Sequence, residues 1–172
     1  NEASVDWTDH LVPVPHLIAY GRELKQGISQ PITFCENYVP WHDKLLSLAQ
    51  ELDFISVHTY PVWEYKSIGE AMDYTRENYA SVRDRYPDKP VVITEAGWTT
   101  AANGRGIEPG NASCELQAEY YAQLMAWADR FARGLSEKGL GKGDVIALNM
   151  PNIPQHVIGL IGALKAECIV TG

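Results

Sequence analysis

Positive charge is in short supply in this sequence. The 172 residues carry 14 Lys and Arg against 22 Asp and Glu, a formal net charge of -8, so the chain has no basic face to offer a nucleic acid backbone. A neutral polymer such as a polysaccharide is compatible with that balance. Cysteine is scarce as well: Cys35, Cys114 and Cys168 stand far apart without a CxxC pair. An odd count excludes an even disulfide framework, and the spacing reads as buried or idle thiols. The five histidines show no HxxxH spacing, so no metal site and no cofactor are expected. Long hydrophobic runs are missing too. The most apolar stretch, 156–172, is interrupted by Lys165 and Glu167 and is too short to cross a bilayer. The opening Asn-Glu-Ala-Ser is neither a methionine start nor a basic segment followed by an apolar one. The expectation is a soluble chain without a secretory signal, either processed or lacking its natural beginning, in no assignable compartment.

What the chain does contain is 45% hydrophobic residues, enough for one sizeable core but not two. A complete (β/α)₈ barrel takes about 250 residues, so a barrel reading concerns only part of one. Composition breaks near residue 129. Residues 1–128 hold 18 acids and 9 bases, whereas 129–172 hold 4 and 5, and Phe131 is the one aromatic residue of 17 beyond the break. Trp and Tyr faces stack on sugar rings, so the first segment reads as a carbohydrate-handling surface and the second as a plain α/β packing unit. Two domains, 1–128 and 129–172, are expected.

Strands are predicted at 31–36, 54–57, 91–94, 144–148 and 168–171, and helices at 41–52, 68–85, 116–135 and 156–165, from the periodicity of apolar residues. The stripe Leu116, Tyr120, Leu124, Trp127, Phe131 and Leu135 crosses the composition break without losing phase. Alternating strands and helices predict an α/β fold with a mainly parallel sheet. A Gly- and Asn-rich loop at 99–113 is long enough to suggest function. Asn111-Ala112-Ser113 fits a glycosylation sequon, a triplet that is frequent by chance. The glycines of 139–143 read as a helix C-cap and a turn before a strand.

Two glutamates attract attention. Glu95 directly follows the strand at 91–94 and precedes Ala96-Gly97-Trp98. A carboxylate at the C-terminal end of a parallel strand faces the mouth of a barrel; Gly97 would let the backbone turn away, and Trp98 would offer a sugar platform. The alternative for Glu95 is a capping or ion-paired carboxylate at a strand end. Glu2, after Asn1, read by itself is a solvated terminal charge. Retaining glycosidases, however, need two carboxyl groups about 5–5.5 Å apart, one protonated and one ionised, and such proximity raises one pKa.

The runs Asn1-Glu-Ala-Ser-Val-Asp-Trp7, Cys35-Glu-Asn-Tyr38, Asp53-Phe-Ile-Ser-Val-His-Thr-Tyr-Pro-Val62 and Val92-Ile-Thr-Glu-Ala-Gly-Trp98 resemble glycoside hydrolase family 17, in particular its bacterial β-1,3-glucanase-like members. The resemblance covers residues 1 to about 128 and implies a partial (β/α)₈ barrel, of TIM type, that hydrolyses or transfers β-1,3-glucosyl units. It implies Glu2 as acid/base, Asn1 as the amide holding the sugar 2-hydroxyl, Glu95 as nucleophile with Trp98 behind it, and Tyr60 lining the cleft. His58, Asn37 and Trp63 lie in the matched loops and either contact sugar or pack as loop residues. Trp7 and Trp41 read as helix anchors. The implied partner is a β-glucan or oligosaccharide, with no nucleic acid and no membrane.

Beyond the break, Ala128-Asp-Arg-Phe-Ala-Arg-Gly-Leu135, Gly141-Lys-Gly-Asp-Val-Ile-Ala-Leu148, Met150-Pro-Asn-Ile-Pro154 and Gly162-Ala-Leu-Lys-Ala166 resemble the N-terminal portion of acyl-CoA synthetases, which are adenylate-forming enzymes. A Ser/Thr/Gly-rich phosphate loop followed by Lys is not found in that stretch. The sequence therefore reads as a chimera or fragment joined through one continuous helix. Residues 145–150 are expected to take the place of an eighth barrel strand in one sheet of four or five strands, with a homodimer covering exposed edge. Three functions are in view: a family-17-like hydrolase, a fragment of an acyl-CoA synthetase, and a non-catalytic glucan-binding or structural piece.

Overall fold

The structure, a computed structural model, describes residues 2–102, 107, 109–147 and 154–171, the side chains of 154–158 excepted. Asn1, part of the 99–113 loop and most of the Met150–Pro154 motif lie outside the described residues. The chain forms two compact units, Asn1–Thr59 with Thr75–Thr94, and Tyr60–Tyr74 with Glu95–Gly172. The architecture is mixed α/β.

The first unit is organised on the strands β1 (Cys35–Asn37), β2 (Ile55–Thr59) and β3 (Val91–Ala96), in the order β1-β2-β3. β1 and β2 run parallel, with Cys35 opposite Ser56 and Asn37 opposite His58. Every residue of β2 is buried, as befits a strand covered on both faces. Its polar groups are consequently partnered: Trp41 Nε1 donates to Ser56 O at 2.9 Å, and Asn78 Nδ2 to Thr59 Oγ1 at 3.0 Å. Trp41 is fully buried and meets Phe34 and Tyr86 edge-on; its reading as an anchor holds.

The helix expected at 41–52 is interrupted. A 3₁₀ turn, Val39–His42, is followed by α2 (Leu46–Glu51), with Asp43 in a non-helical conformation and its carboxylate accepting the Lys44 N–H. A short acidic side chain bonding its own backbone competes with the helix. One helix escaped the sequence reading, α1 (Val14–Gly27), which starts with proline at N1/N2, where a missing N–H costs nothing, and buries only Leu17 and Gly21. So thin an apolar stripe is hard to see in the periodicity. The next helix, α3 (Ala71–Arg85), is preceded by Ser67, whose N–H and hydroxyl both donate to Glu70, an arrangement like a capping box.

The second unit is built around α4 (Cys114–Glu137), which runs unbroken through the composition change, as its stripe predicted. Ser113 caps it by accepting the Leu116 N–H. At its other end Gly139 adopts φ 79°, its N–H donating to Ser136 O and that of Leu140 to Leu135 O. This is the Schellman arrangement, so the glycine does cap the helix. Two clusters sit along α4. Val62, Ala71, Trp98, Ile107 and Tyr120 form one, and Ala132, Leu135, Ala163, Ala166 and Cys168 the other. The second receives α5 (Pro154–Lys165), which approaches so closely at Gly162 that a Cβ there would lie 2.7 Å from Ala128 O.

β4 (Val145–Ala147) pairs in parallel with β5 (Ile169–Thr171) in a separate two-stranded sheet. This corrects the expectation of one sheet of four or five strands with 145–150 as its replacement eighth strand. β4 finds a parallel partner within its own segment across α5, a short βαβ unit. Residues 148–150 lie outside the described residues. No described helix is long and apolar enough to cross a membrane.

Candidate functional site

Glu2 is held by its backbone and by its side chain. Its N–H donates to Cys35 O at 3.0 Å while its φ of 50° lies in the left-handed region, a conformation that costs a non-glycine residue about 1–2 kcal/mol. Strain of this kind persists where the surroundings over-determine it. The surroundings here are His58 Nδ1, 3.0 Å from Oε1, and Trp7 Nε1, which donates to Oε2 at 3.2 Å. The His58 hydrogen bond, opposed by partial burial and helped by Trp7, holds the Glu2 carboxyl below its ordinary value. The expectation was that one of the paired carboxyls has a raised pKa; at Glu2 the shift is downward, because the polar donors outweigh desolvation. Glu2 is ionised at neutral pH.

Behind Glu2 stands a carboxylate to which the sequence reading assigned no role. Glu36 is fully buried and accepts from Ser4 N at 2.8 Å, Ser4 Oγ at 2.7 Å and Asn37 N at 2.7 Å. Lys44 Nζ donates to Ser4 O. Glu36 thus clamps the segment after Glu2 onto β1. Its alternation with Cys35 on a short strand was the available signal.

Several site expectations need correcting. His58 is fully buried, so it supports Glu2 instead of touching sugar. Asn37 is also buried, and its Oδ1 accepts the Val39 N–H at 3.0 Å; it packs. Trp7, read as an anchor, is 54% exposed beside Glu2, the one tryptophan of this unit with a face open to solvent.

In the second unit Glu95 closes β3, and Tyr60 Oη donates to its Oε2 at 2.8 Å. The reason for Gly97 differs from the steep turn expected. Its φ is not positive, and a Cβ there would meet Tyr60 Cε1 at 3.2 Å, so the glycine lets the phenol ring lie against the strand end. Trp98 is 3% exposed. It packs on Tyr120 at 5.8 Å between centroids and donates its indole N–H to Asn111 O at 3.0 Å, while Gln117 donates to its carbonyl at 2.7 Å. With no free face it is a core residue, which corrects the platform reading. Trp63 is half-buried and packs against the same cluster. Asn111 of the sequon donates its amide to Lys66 O at 2.9 Å, so that side chain serves to close the loop.

Tyr60→Phe is expected to lower any activity that depends on the Glu95 carboxylate by roughly ten- to a hundredfold, the worth of one hydrogen bond to a charged group. An unchanged thermal melt with the slower initial rate would identify the effect as chemical. Among the described residues no group of His, Cys, Asp and Glu is arranged to hold a metal ion. Surface depressions lined by Leu46, Gln50, Arg85 and Lys89, and by Tyr20, Glu23, Leu24 and Ile28, involve neither Glu2 nor Glu95.

Comparison with known proteins points two ways. The family model of the AMP-binding enzymes matches residues 81–172, starting inside α3 and well ahead of the composition break. Acetyl-coenzyme A synthetase of Sodalis glossinidius (strain morsitans) is 26% identical over 172 residues, an alignment covering 93% of this chain and 24% of that protein. In three dimensions the chain is similar to an endo-laminarinase from Formosa Hel1_33_131, with a TM-score of 0.62 and 20% identity over 99% of this chain and 46% of the other. It is also similar to a glycoside hydrolase family 17 β-1,3-glucanosyltransferase from Rhizomucor miehei, with a TM-score of 0.55 and 23% identity over 77% and 46%. An active-site mutant of the latter, solved with laminaritriose, gives a TM-score of 0.54. At these identities the likeness is one of fold, and the chain spans less than half of each of these proteins.

Proposed function

The chain belongs to the family of AMP-binding enzymes through residues 81–172, and from that premise we propose that it nevertheless carries the chemistry of a β-1,3-glucan-active glycosidase, on a partial (β/α)₈ barrel formed by residues 1–128. The observation that carries this reading is the hydrogen bond of Tyr60 Oη to Glu95 Oε2 at 2.8 Å, at the end of β3. A carboxylate oriented by a phenol at a strand end has the placement that a nucleophile needs. Glu95 is assigned the attack on the anomeric carbon. Glu2 is assigned protonation of the leaving oxygen, and then deprotonation of the water or acceptor sugar that releases the glycosyl-enzyme. Supporting this are the networks around each carboxylate and the fold shared with an endo-laminarinase and a β-1,3-glucanosyltransferase.

The lowered pKa of Glu2 has a sign consequence. An acid that is ionised at neutrality works better as pH falls toward its own pKa, so laminarin hydrolysis is expected to speed up from about pH 7 to about pH 5. The second reading, adenylate formation, is favoured by the family match and the synthetase relative. Reducing-sugar release from laminarin, measured beside acetate-dependent ATP–pyrophosphate exchange, separates the two. Sugar release that accelerates in acid supports the glycosidase reading; exchange without sugar release replaces it with adenylation. Silence in both assays, with retained binding to laminarin in affinity electrophoresis, leaves a glucan-binding piece.

A further inference from the structure

In the first unit Glu2 and Cys35 both lie beside His58. In the register of β1 and β2, Cys35 lies opposite Ser56 and Asn37 opposite His58. Residues two apart share a strand face, so Cys35, Ser56 and His58 stand on one side of the sheet. The His58 ring is fully buried, with Nδ1 3.0 Å from Glu2 Oε1. The Glu2 N–H is itself bonded to the carbonyl of Cys35. Cys35 is partly exposed, unlike the buried Cys168. Thiol, imidazole and carboxylate in that order make an activated nucleophile. The carboxylate fixes a proton on Nδ1 and stabilises the imidazolium, so the ring can take the thiol proton.

We propose that Cys35 is a modification site, a nucleophilic thiol that reacts with small hydroperoxides and uses His58 as its proton relay. The Cys35 thiolate attacks the nearer peroxide oxygen and the O–O bond breaks. Sulfur takes the terminal OH and is oxidised to a sulfenic acid, the peroxide is reduced, and the departing hydroxide of hydrogen peroxide, or alkoxide of an alkyl hydroperoxide, takes the proton from the His58 imidazolium and leaves as water or alcohol. A half-buried thiol admits a small neutral electrophile ahead of a bulky or charged one. The hydrogen bond to His58, opposed by burial and helped by Thr94 and Ser56, holds the thiol below its usual range, in keeping with the geometry. The groups facing Cys35 are His58 and Ser56 from β2 and Thr94 from β3. His58 in turn bonds Glu2, so an imidazole and a carboxylate are titrating neighbours of the thiol. This site is independent of the glucan reading and holds whether or not Glu2 acts on a sugar.

The test is iodoacetamide alkylation of the full chain across a pH series, read at Cys35 by peptide mass spectrometry with glutathione as reference. A free thiol loses reactivity about tenfold per pH unit below its pKa near 8.5. Cys35 is expected to keep, at pH 6, at least ten times more of its alkaline rate than glutathione keeps. Glu2→Gln, which removes the charge that stabilises the imidazolium, is expected to slow Cys35 at that pH by about tenfold. Dimedone added after one equivalent of hydrogen peroxide should label Cys35 and find nothing at that position in Cys35→Ser. A Cys35 profile that follows glutathione, or no dimedone adduct in the unsubstituted chain, overturns the proposal. Both readings come from the native protein, so a variant that fails to fold does not shield it.

Discussion

Under the proposed glycosidase reading, Glu95→Gln is expected to lower laminarin turnover by about ten-thousandfold, the scale on which a displaced nucleophile is felt, and to leave the fold standing. The amide has the shape of the carboxylate and its oxygen can still accept from Tyr60 Oη, so packing and orientation survive while attack on the anomeric carbon is lost. Initial rates on laminarin together with a thermal melt check both halves. A variant keeping more than about a tenth of the rate would remove Glu95 from the mechanism. The stereochemistry of rescue then sorts the roles. With an activated aryl β-glucoside and azide, Glu95→Gly should yield the α-glucosyl azide, because azide replaces the nucleophile in a single inversion. Glu2→Ala should yield the β-glucosyl azide, because azide then intercepts the glycosyl-enzyme in place of an activated water. The same anomer from both variants would mean that the two carboxylates do not divide the work as assigned.

Trp41→Ala should be the most damaging change to stability, at about 4 kcal/mol. The side chain is fully buried, so truncation leaves a cavity that its neighbours cannot close. Two edge-on ring contacts, with Phe34 and Tyr86, disappear as well. So does the hydrogen bond to Ser56 O, on a strand with no access to water. Set against a total of about 5–15 kcal/mol for an ordinary domain, such a loss leaves little margin. Urea titration followed by circular dichroism should show the midpoint collapse. A shift worth under about 1.5 kcal/mol would mean that the site relaxes around the vacancy and that Trp41 is not the keystone of this unit.

How much of this was legible beforehand depended on the kind of signal. α4 came through with its full phase because its burial repeats at helical spacing over 24 residues, and β2 and β3 because β-branched runs flanked by proline have few alternatives. α1 was missed because it buries only Leu17 and Gly21, and α2 was drawn too long because the Asp43 side chain intervenes. The placement of β4 beside β5 could not be foreseen, since strand pairing is a long-range choice that periodicity does not encode. At the candidate site, motif position singled out Glu2, Tyr60 and Glu95. It misjudged the rings: Trp98 and Trp7 are equally aromatic in a sequence, yet one is 3% exposed and the other 54%, a distinction made only by what folds over them. A raised pKa on one of the two carboxyls was expected from a like-charged neighbour; the neighbours that bond Glu2 are His58 and Trp7, and they lower its pKa.

α4 touches one cluster near its beginning, through Leu116 and Tyr120, and another near its end, through Ala132 and Leu135. A helix advances about 100° per residue, so these two contacts are locked by angle and not merely by length. A single residue inserted at Ala128 would swing the second contact a quarter-turn off its mate, where seven residues would lengthen the shaft and bring it almost back into line. Two stretches of such different composition share one uninterrupted rod only while that angular phase is kept.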